Sequence, residues 1–401
     1  MVLLVASGTP RPGNGWAGVQ EARLLARGNP QLFALLTVGR TVRDIRRVPR
    51  VGWLVTDPVL ARQVLNDSAS FSMNGEGGVG HLWTQLFGPE MGSLFSGARH
   101  VEVRTAARDL FTEAQAEVLV ERVQSGHHRA LRQRLAAGGT VDVADLARVT
   151  SGRTVADLLG IAMHSDDQAR ALFDAGERLA ALALGTHSST ELEHERVTRA
   201  RLILDDITGG VEEAYRTGAP DTLLGRARGL DLGLDLARGL ATLLSIAGTE
   251  TGASSLSRTV ALLHDTGQHR WLADDAELLE GAVREGLRVS TPAPVIGRHV
   301  ARDAEVGGHT LRAGERVLVL TYVADNSVGR FDIRRPYVPE TRQLWFGAGR
   351  HLCLGNAVAR VQLTRLLEAL VADQRPWQVV ARRPARRVLV PTYAELVVRR
   401  S

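Results

Sequence analysis

The sequence predicts a mainly α protein with a minor β portion, and three observations predict it. Apolar residues recur at helical spacing through nearly all of 98–290. After Pro292 and Pro294 the texture changes to short β-branched runs separated by glycine turns. No internal repeat or low-complexity linker interrupts the 401 residues. A single domain over 1–401 is therefore expected, β-rich near 40–56, 295–322 and in the C-terminal tail, and helical over 98–290 and 355–373. A hydrophobic content of 44% suffices for a core of this size.

Taken in order, 51–56 reads as a strand. Asp57-Pro58 then opens a helix, with Asp as the cap and Pro in the first turn. The stretch 72–97 is Gly-rich with embedded Trp83, Leu86, Phe87 and Leu94, and is expected to be long and irregular. Helices are expected over 113–136, 142–160, 166–183, 190–216, 233–265 and 275–289. Short strands are expected over 295–298, 305–311 and 316–322. A helix resumes after Gly355 to about 373, and the tail reads as strands at 388–390 and 396–398.

All 49 Lys+Arg residues are arginine, a usage associated with GC-rich genomes. The net charge is only +5 and aromatics make up 4% of the chain. The clusters Arg43, Arg46, Arg47, Arg50 and Arg382, Arg383, Arg386, Arg387 lack interleaved aromatics, so a solvated basic face is favoured over a nucleic-acid surface. No apolar run approaches the roughly 20 residues of a membrane span. The apolar start, 2–6, lacks a basic flank and is too short for a secretory signal. A cytoplasmic protein is expected, which suits a chain with one cysteine.

That cysteine, Cys353, lies in Phe346-Gly-Ala-Gly-Arg-His-Leu-Cys-Leu-Gly355. A lone thiol makes no internal disulfide and no four-cysteine metal site. Three glycines permit turns that aim backbone N–H groups at the sulfur, and a following helix adds the positive end of its dipole. On residue grounds Cys353 is a buried core residue, a reactive thiol or a single axial ligand. Within the predicted helix 233–265, Ala247-Gly-Thr-Glu-Thr251 places Gly248, Thr249 and Thr251 where a helix disfavours them, which suggests a local opening of the hydrogen-bond ladder. The alternative is a polar stripe facing solvent. Glu285 and Arg288 are three apart, ordinary salt-bridge spacing. Gly286 between them has no explanation from sequence. His100 and Arg104 share one helix face, as two cationic donors.

Together these segments resemble the cytochrome P-450 superfamily, in its soluble bacterial, actinobacterial form. The cysteine decamer fills every fixed position of Phe-x-x-Gly-x-(Arg/His)-x-Cys-x-Gly, and the likeness runs from about residue 40 to the end. The resemblance implies a cytochrome P-450 fold with heme b between the long distal helix and the cysteine loop. It implies that Cys353 is the proximal iron ligand, with Phe346 and Gly347 against the heme. Ala247 and Gly248 then line the oxygen-binding helix, with Glu250 and Thr251 as its acid–alcohol pair. Glu285 and Arg288 become the structural Glu-x-x-Arg pair, and His100, Arg104, Arg298 and His351 the propionate anchors. Substrate contacts are expected from 72–97 (Trp83, Leu86, Phe87), 170–186, Leu243, Ala247, Ala293, Val295, Ile296, Thr392 and Tyr393. One departure is Ala324-Asp-Asn-Ser327, where bacterial relatives read Ala-Asn-Arg-Asp-Pro.

The implied function is a monooxygenase that inserts one atom of O2 into a bulky apolar small molecule, or couples or desaturates it, in natural-product biosynthesis. Electrons would come from a separate ferredoxin and its reductase, since the chain carries no flavin or cluster pattern. Arg99, Arg108 and Arg350 are candidate docking charges. A peroxide-driven enzyme and a non-catalytic heme-thiolate sensor are the alternatives. The acid–alcohol pair disfavours both.

Overall fold

The computed structural model describes residues 13–182 and 191–401. The apolar start 2–6 and the end of the expected pocket stretch 170–186 lie outside those residues. The architecture is helical with three small sheets. One has strand order β1-β2-β8-β5-β3, one β4-β10-β9 and one β6-β7. The strands are β1 (Ile45–Val48), β2 (Gly52–Val55), β3 (Phe71–Ser72), β4 (Thr140–Asp142), β5 (Ile296–Val300), β6 (Ala304–Val306), β7 (His309–Leu311), β8 (Arg316–Val319), β9 (Trp377–Pro384) and β10 (Tyr393–Arg400). In the five-stranded sheet only the β2–β8 pair is parallel.

The helix after β2 starts as its sequence dictates. Asp57 Oδ1 accepts from the N–H groups of Val59 and Leu60 at 2.9 and 2.8 Å, ahead of Pro58. A central helix, Leu234–Thr266, runs through the molecule. It packs against helices Val143–Leu159, Asp166–Ala181, Leu279–Ser290 and Asn356–Val371. Ala253, Leu256, Val260, Ala261, Leu262 and Leu263 of this helix are buried in the largest core cluster, alongside Leu363, Leu367, Trp377 and Leu396. Apolar burial on all sides explains why the helix shows no clean amphipathic stripe.

Several expectations need correction. The stretch 72–97 is not irregular: it forms β3, the helix Val79–Phe87 and a 3-10 turn Pro89–Leu94. Trp83, Phe87, Met91 and Leu94 pack together with Leu232 and Leu243, and this packing orders a Gly-rich segment. The single helix expected over 190–216 breaks into His194–Thr208 and Val211–Thr217 at Gly209-Gly210, where Gly210 takes φ 83°. The strand expected over 305–311 is the β6–β7 hairpin, turned at Gly307 and Gly308 with φ 56° and 76°. The strand expected over 316–322 stops at Val319, and Thr321–Asn326 is helical. β9 escaped notice, and 388–390 is not a strand.

Candidate functional site

The cysteine loop is shaped by its glycines. Gly347 and Gly349 sit at φ 74° and 67°, a region closed to most L-residues. A Cβ on Gly349 would lie 2.6 Å from the Leu65 carbonyl oxygen, so the loop presses on the Pro58–Asn66 helix. The Cys353 N–H donates to the Phe346 carbonyl at 2.9 Å, which closes the loop. Cys353 stands just before helix Asn356–Val371, and its carbonyl accepts from Asn356 Nδ2 at 2.8 Å. Cys353 is exposed to a cavity that it helps to line. Burial pushes its pKa up, against the pull of the Gly355 N–H and the Arg104 charge. A thiol held this way gives up its proton on binding a metal cation.

Across the cavity, of about 390 Å3, Leu244, Ala247, Gly248, Thr251, Gly252 and Ser255 of the central helix face Cys353. The helix is continuous there, contrary to the expected opening of its ladder. The hydroxyls are satisfied within the helix: Thr249 donates to Ser245 O at 2.6 Å, and Thr251 donates to Ala247 O. Gly248 serves packing as well, since a Cβ there would fall 2.6 Å from Val155 Cγ2. Glu250 does not line the cavity. It is 2% exposed and neither carboxylate oxygen has a partner among the described residues. Burial, and then the negative charge of Glu177, push it up to about 8.

The four basic candidates converge on one end of the cysteine loop. Arg298, on β5, lines the cavity with His351. Its guanidinium is 3% exposed and donates to the carbonyl of Gly297 at 2.9 Å, with no acid beside it among the described residues. Burial alone pushes its pKa down to about 10. His351 Nε2 lies 2.8 Å from the Phe95 carbonyl, and its ring is 4.7 Å from that of His100. Burial, above all, pushes both imidazoles down to about 4. The buried Nδ1 of His100 has no partner among the described residues. Arg104 donates to the Leu352 carbonyl at 2.5 Å. An unpaired buried cation and an orphaned imidazole nitrogen are expensive to leave unmet. Both fit an anionic group that carries carboxylates and shares the cavity with the Cys353 thiol. The residues present therefore fit a heme.

Glu285 and Arg288 are buried and joined at 2.7 Å by two parallel hydrogen bonds. Sequence reading missed the third member, Arg335, whose Nε is 3.5 Å from the same carboxylate. Arg288 also donates to the carbonyls of Asp325, Gly329 and Arg330. This ties the pair to the departure at 324–327. Asp325 is fully buried, accepts from Thr291 Oγ1 at 3.2 Å, and is pushed well above the usual carboxylate range by burial. The substituted segment thus sets a buried acid against Thr291, itself at φ 30°. Gly286 is also explained: a Cβ there would collide with Thr259 of the central helix at 2.4 Å.

Of the expected substrate contacts, Ala247, Ala293 and Ile296 line the cavity, as does Phe346. Val295 lines an adjoining pocket of about 290 Å3 that shares Thr251, Pro292 and Ala293 with it. Trp83, Leu86, Phe87 and Leu243 belong instead to an apolar cluster. Thr392 and Tyr393 are buried away from both pockets, and the hairpin presents Leu389 and Val390 to the second one. Met73, within the expected stretch 72–97, lines the main cavity, which also gains Trp345 and Pro292, two residues that no local signal marked.

Residues 273–373 match the family model described as Cytochrome P450. The mycinamicin IV hydroxylase/epoxidase of Micromonospora griseorubida is 31% identical over 305 residues, 71% of this chain and 73% of that protein. The vitamin D3 dihydroxylase of Streptomyces griseolus is 33% identical over 281 residues, 65% of this chain and 64% of that protein. The match to the putative cytochrome P450 YjiB of Bacillus subtilis spans only 34% of that relative. Among solved structures, CalO2 superposes with a TM-score of 0.74 at 25% identity, covering 93% of this chain and 95% of that one. A mutant of P450 EryK in complex with erythromycin B also gives 0.74, at 22% identity, over 97% and 98% of the two chains.

Proposed function

Because this chain belongs to the cytochrome P450 family, whose members bind heme b, we propose that it is a heme-thiolate monooxygenase acting on an apolar small molecule. The observation that carries the reading is one cavity with Cys353 on one wall, Gly248 and Thr251 on the other, and the unpaired cation Arg298 at its edge. Bound there, heme would supply reductive activation of dioxygen and transfer of one oxygen atom to carbon.

The chain's own residues then have distinct tasks. Cys353 would hold the iron through its thiolate. Arg298 and His351, backed by His100 and Arg104, would hold the two carboxylates. The small side of Ala247-Gly248 leaves room in the cavity for a diatomic molecule. Thr251 Oγ1, now committed to the Ala247 carbonyl, can swing its proton toward the cavity and accept another. Glu250 keeps a proton near neutral pH and can resupply Thr251. Leu244, Ala293, Ile296 and Met73 offer an apolar wall that expels water as substrate enters.

Two named relatives are a hydroxylase/epoxidase and a dihydroxylase, which supports oxygenation of a bulky apolar natural product. No helix among the described residues is long and apolar enough to cross a membrane. A ferredoxin and its reductase in the cytoplasm are the proposed electron source, with Arg99, Arg108 and Arg350 as the proposed docking charges. The test is turnover of candidate scaffolds with a surrogate ferredoxin system under isotopically heavy dioxygen. One heavy oxygen atom per product supports the reading. Product formed only with peroxide would replace it.

A further inference from the structure

We propose that Glu177 and Glu250 form a two-carboxyl relay that carries protons from an outer groove to the Thr251 side of the central helix. The inference rests on the monooxygenase reading, since that reaction consumes protons at the cavity.

Glu250 is buried with both oxygens unmet. A carboxylate in that position has no cation or donor to stabilise it, so the group is held as the acid. Its neighbour is another acid. Glu177 is half-buried on helix Asp166–Ala181 and lines a groove of about 800 Å3 with Met163, Leu172, Asp174 and Arg178. Its own carboxyl is also pushed up, chiefly by burial. Glu177 therefore meets solvent at the groove, and its charge reaches Glu250.

The helices are close enough for this. Gly176 is the contact point: even a Cβ there would sit 3.7 Å from Thr249 Oγ1 and 3.8 Å from Ile246 Cγ1. Helix Asp166–Ala181 packs here against the turn that precedes Glu250. The next residue, Thr251, lines the cavity, so rotation about the Glu250 side-chain bonds joins the two compartments. The other charges facing the pair are Asp174, which raises Glu177, and Arg148, which lowers it. Arg148 is engaged elsewhere, donating to the carbonyls of Tyr393 and Ala394 at 2.5 and 3.2 Å. It moderates the pair without quenching it.

The proton balance closes. Glu250 gives its proton to the Thr251 hydroxyl or a water beside it. Glu177 passes its proton to the Glu250 carboxylate and takes a fresh one from water in the groove. One proton enters and one leaves, no electron moves, and both carboxyls return to their starting state. Glu177 acts through Glu250 and is thus a positioning residue.

The test uses the heme-loaded protein and the variants E177Q, E177D and E250Q. An infrared pH titration follows the protonated carboxyl stretch that disappears in E250Q. The wild-type midpoint is expected near 8, and in E177Q it moves down because a like charge is gone. Ferredoxin-driven turnover in E177Q should slow by about tenfold or more, with a larger solvent isotope effect, as expected for loss of a proton carrier. E177D should retain most of the rate. An unshifted midpoint in E177Q overturns the proposal, and so does a shifted midpoint with an unchanged isotope effect. Failure of the monooxygenase reading looks different: no coupled turnover in wild type, while the infrared midpoint still shifts in E177Q.

Discussion

Arg298→Leu should act in opposite directions on the heme-free and heme-loaded protein. In the heme-free chain the Arg298 guanidinium is 3% exposed, and burial lowers its pKa to about 10 from the ~12.5 of a solvated arginine. A base whose folded pKa is depressed carries a penalty in its charged form. That penalty is fully present below the folded pKa and is relieved only as the pH rises past it. At about 1.4 kcal/mol per pH unit, the charged side chain costs the fold about 3 kcal/mol at neutral pH. Leucine removes the charge and keeps much of the apolar stem. The heme-free variant should therefore be more stable in urea by about 2–3 kcal/mol, part of the gain being lost to imperfect packing. The loaded variant should release heme to a globin acceptor at least tenfold faster, since a charge-assisted bond to a carboxylate contributes about 1.5–3 kcal/mol. The assays are urea unfolding of both forms and heme transfer at pH 7. A heme-free variant less stable than wild type, with heme release unchanged, would refute the assignment of Arg298 as a cation awaiting an anion.

Four further outcomes are expected. Thr251→Ala should keep heme binding and substrate affinity but lower product per electron pair several-fold, read as NADH consumed against product and peroxide formed. Arg288→Leu should cost about 3–5 kcal/mol by stranding Glu285; Arg335 at 3.5 Å holds the loss toward the low end, and removing Glu285 as well should recover part of it in a double-mutant cycle. Gly286→Val should destabilise the protein by about 1–3 kcal/mol through collision with Thr259, and trimming Thr259 to Ala should relieve it, as urea midpoints would show. His128 and His269 are both pushed down to about 4, first of all by burial. Unfolding lets them bind protons from about pH 6.5 downward, so stability should fall between that pH and 4 and level off below. His128→Gln should flatten that slope.

Local chemistry was legible in the sequence, and long-range packing was not. The Cys353 decamer and the Asp57-Pro58 cap rely on residues a few positions apart, so their roles follow from spacing alone. Arg335 joins Glu285 from 50 positions away, and nothing local distinguishes it from other arginines. Gly286 made sense only once Thr259 from another helix stood against it. Thr321–Asn326 was misjudged because β-branched and aromatic residues at its start favour a strand until the chain must turn toward Thr291 and Arg288. The pocket walls were the least legible part. Trp83 and Phe87 look like ligand contacts by type, but they bury their rings against each other at 5.6 Å. Which face of a helix meets a cavity depends on its neighbours. Glu250 shows the same limit: its place beside Thr251 is local, while its unpaired burial against Glu177 comes from the fold.

The absorption spectrum of the reduced, carbon monoxide-bound protein tests the central claim most directly. Thiolate ligation by Cys353 predicts a strongly red-shifted Soret band that is lost in Cys353→His while heme is retained. A folded, heme-loaded protein with an unshifted band, or one whose band survives that substitution, would contradict it.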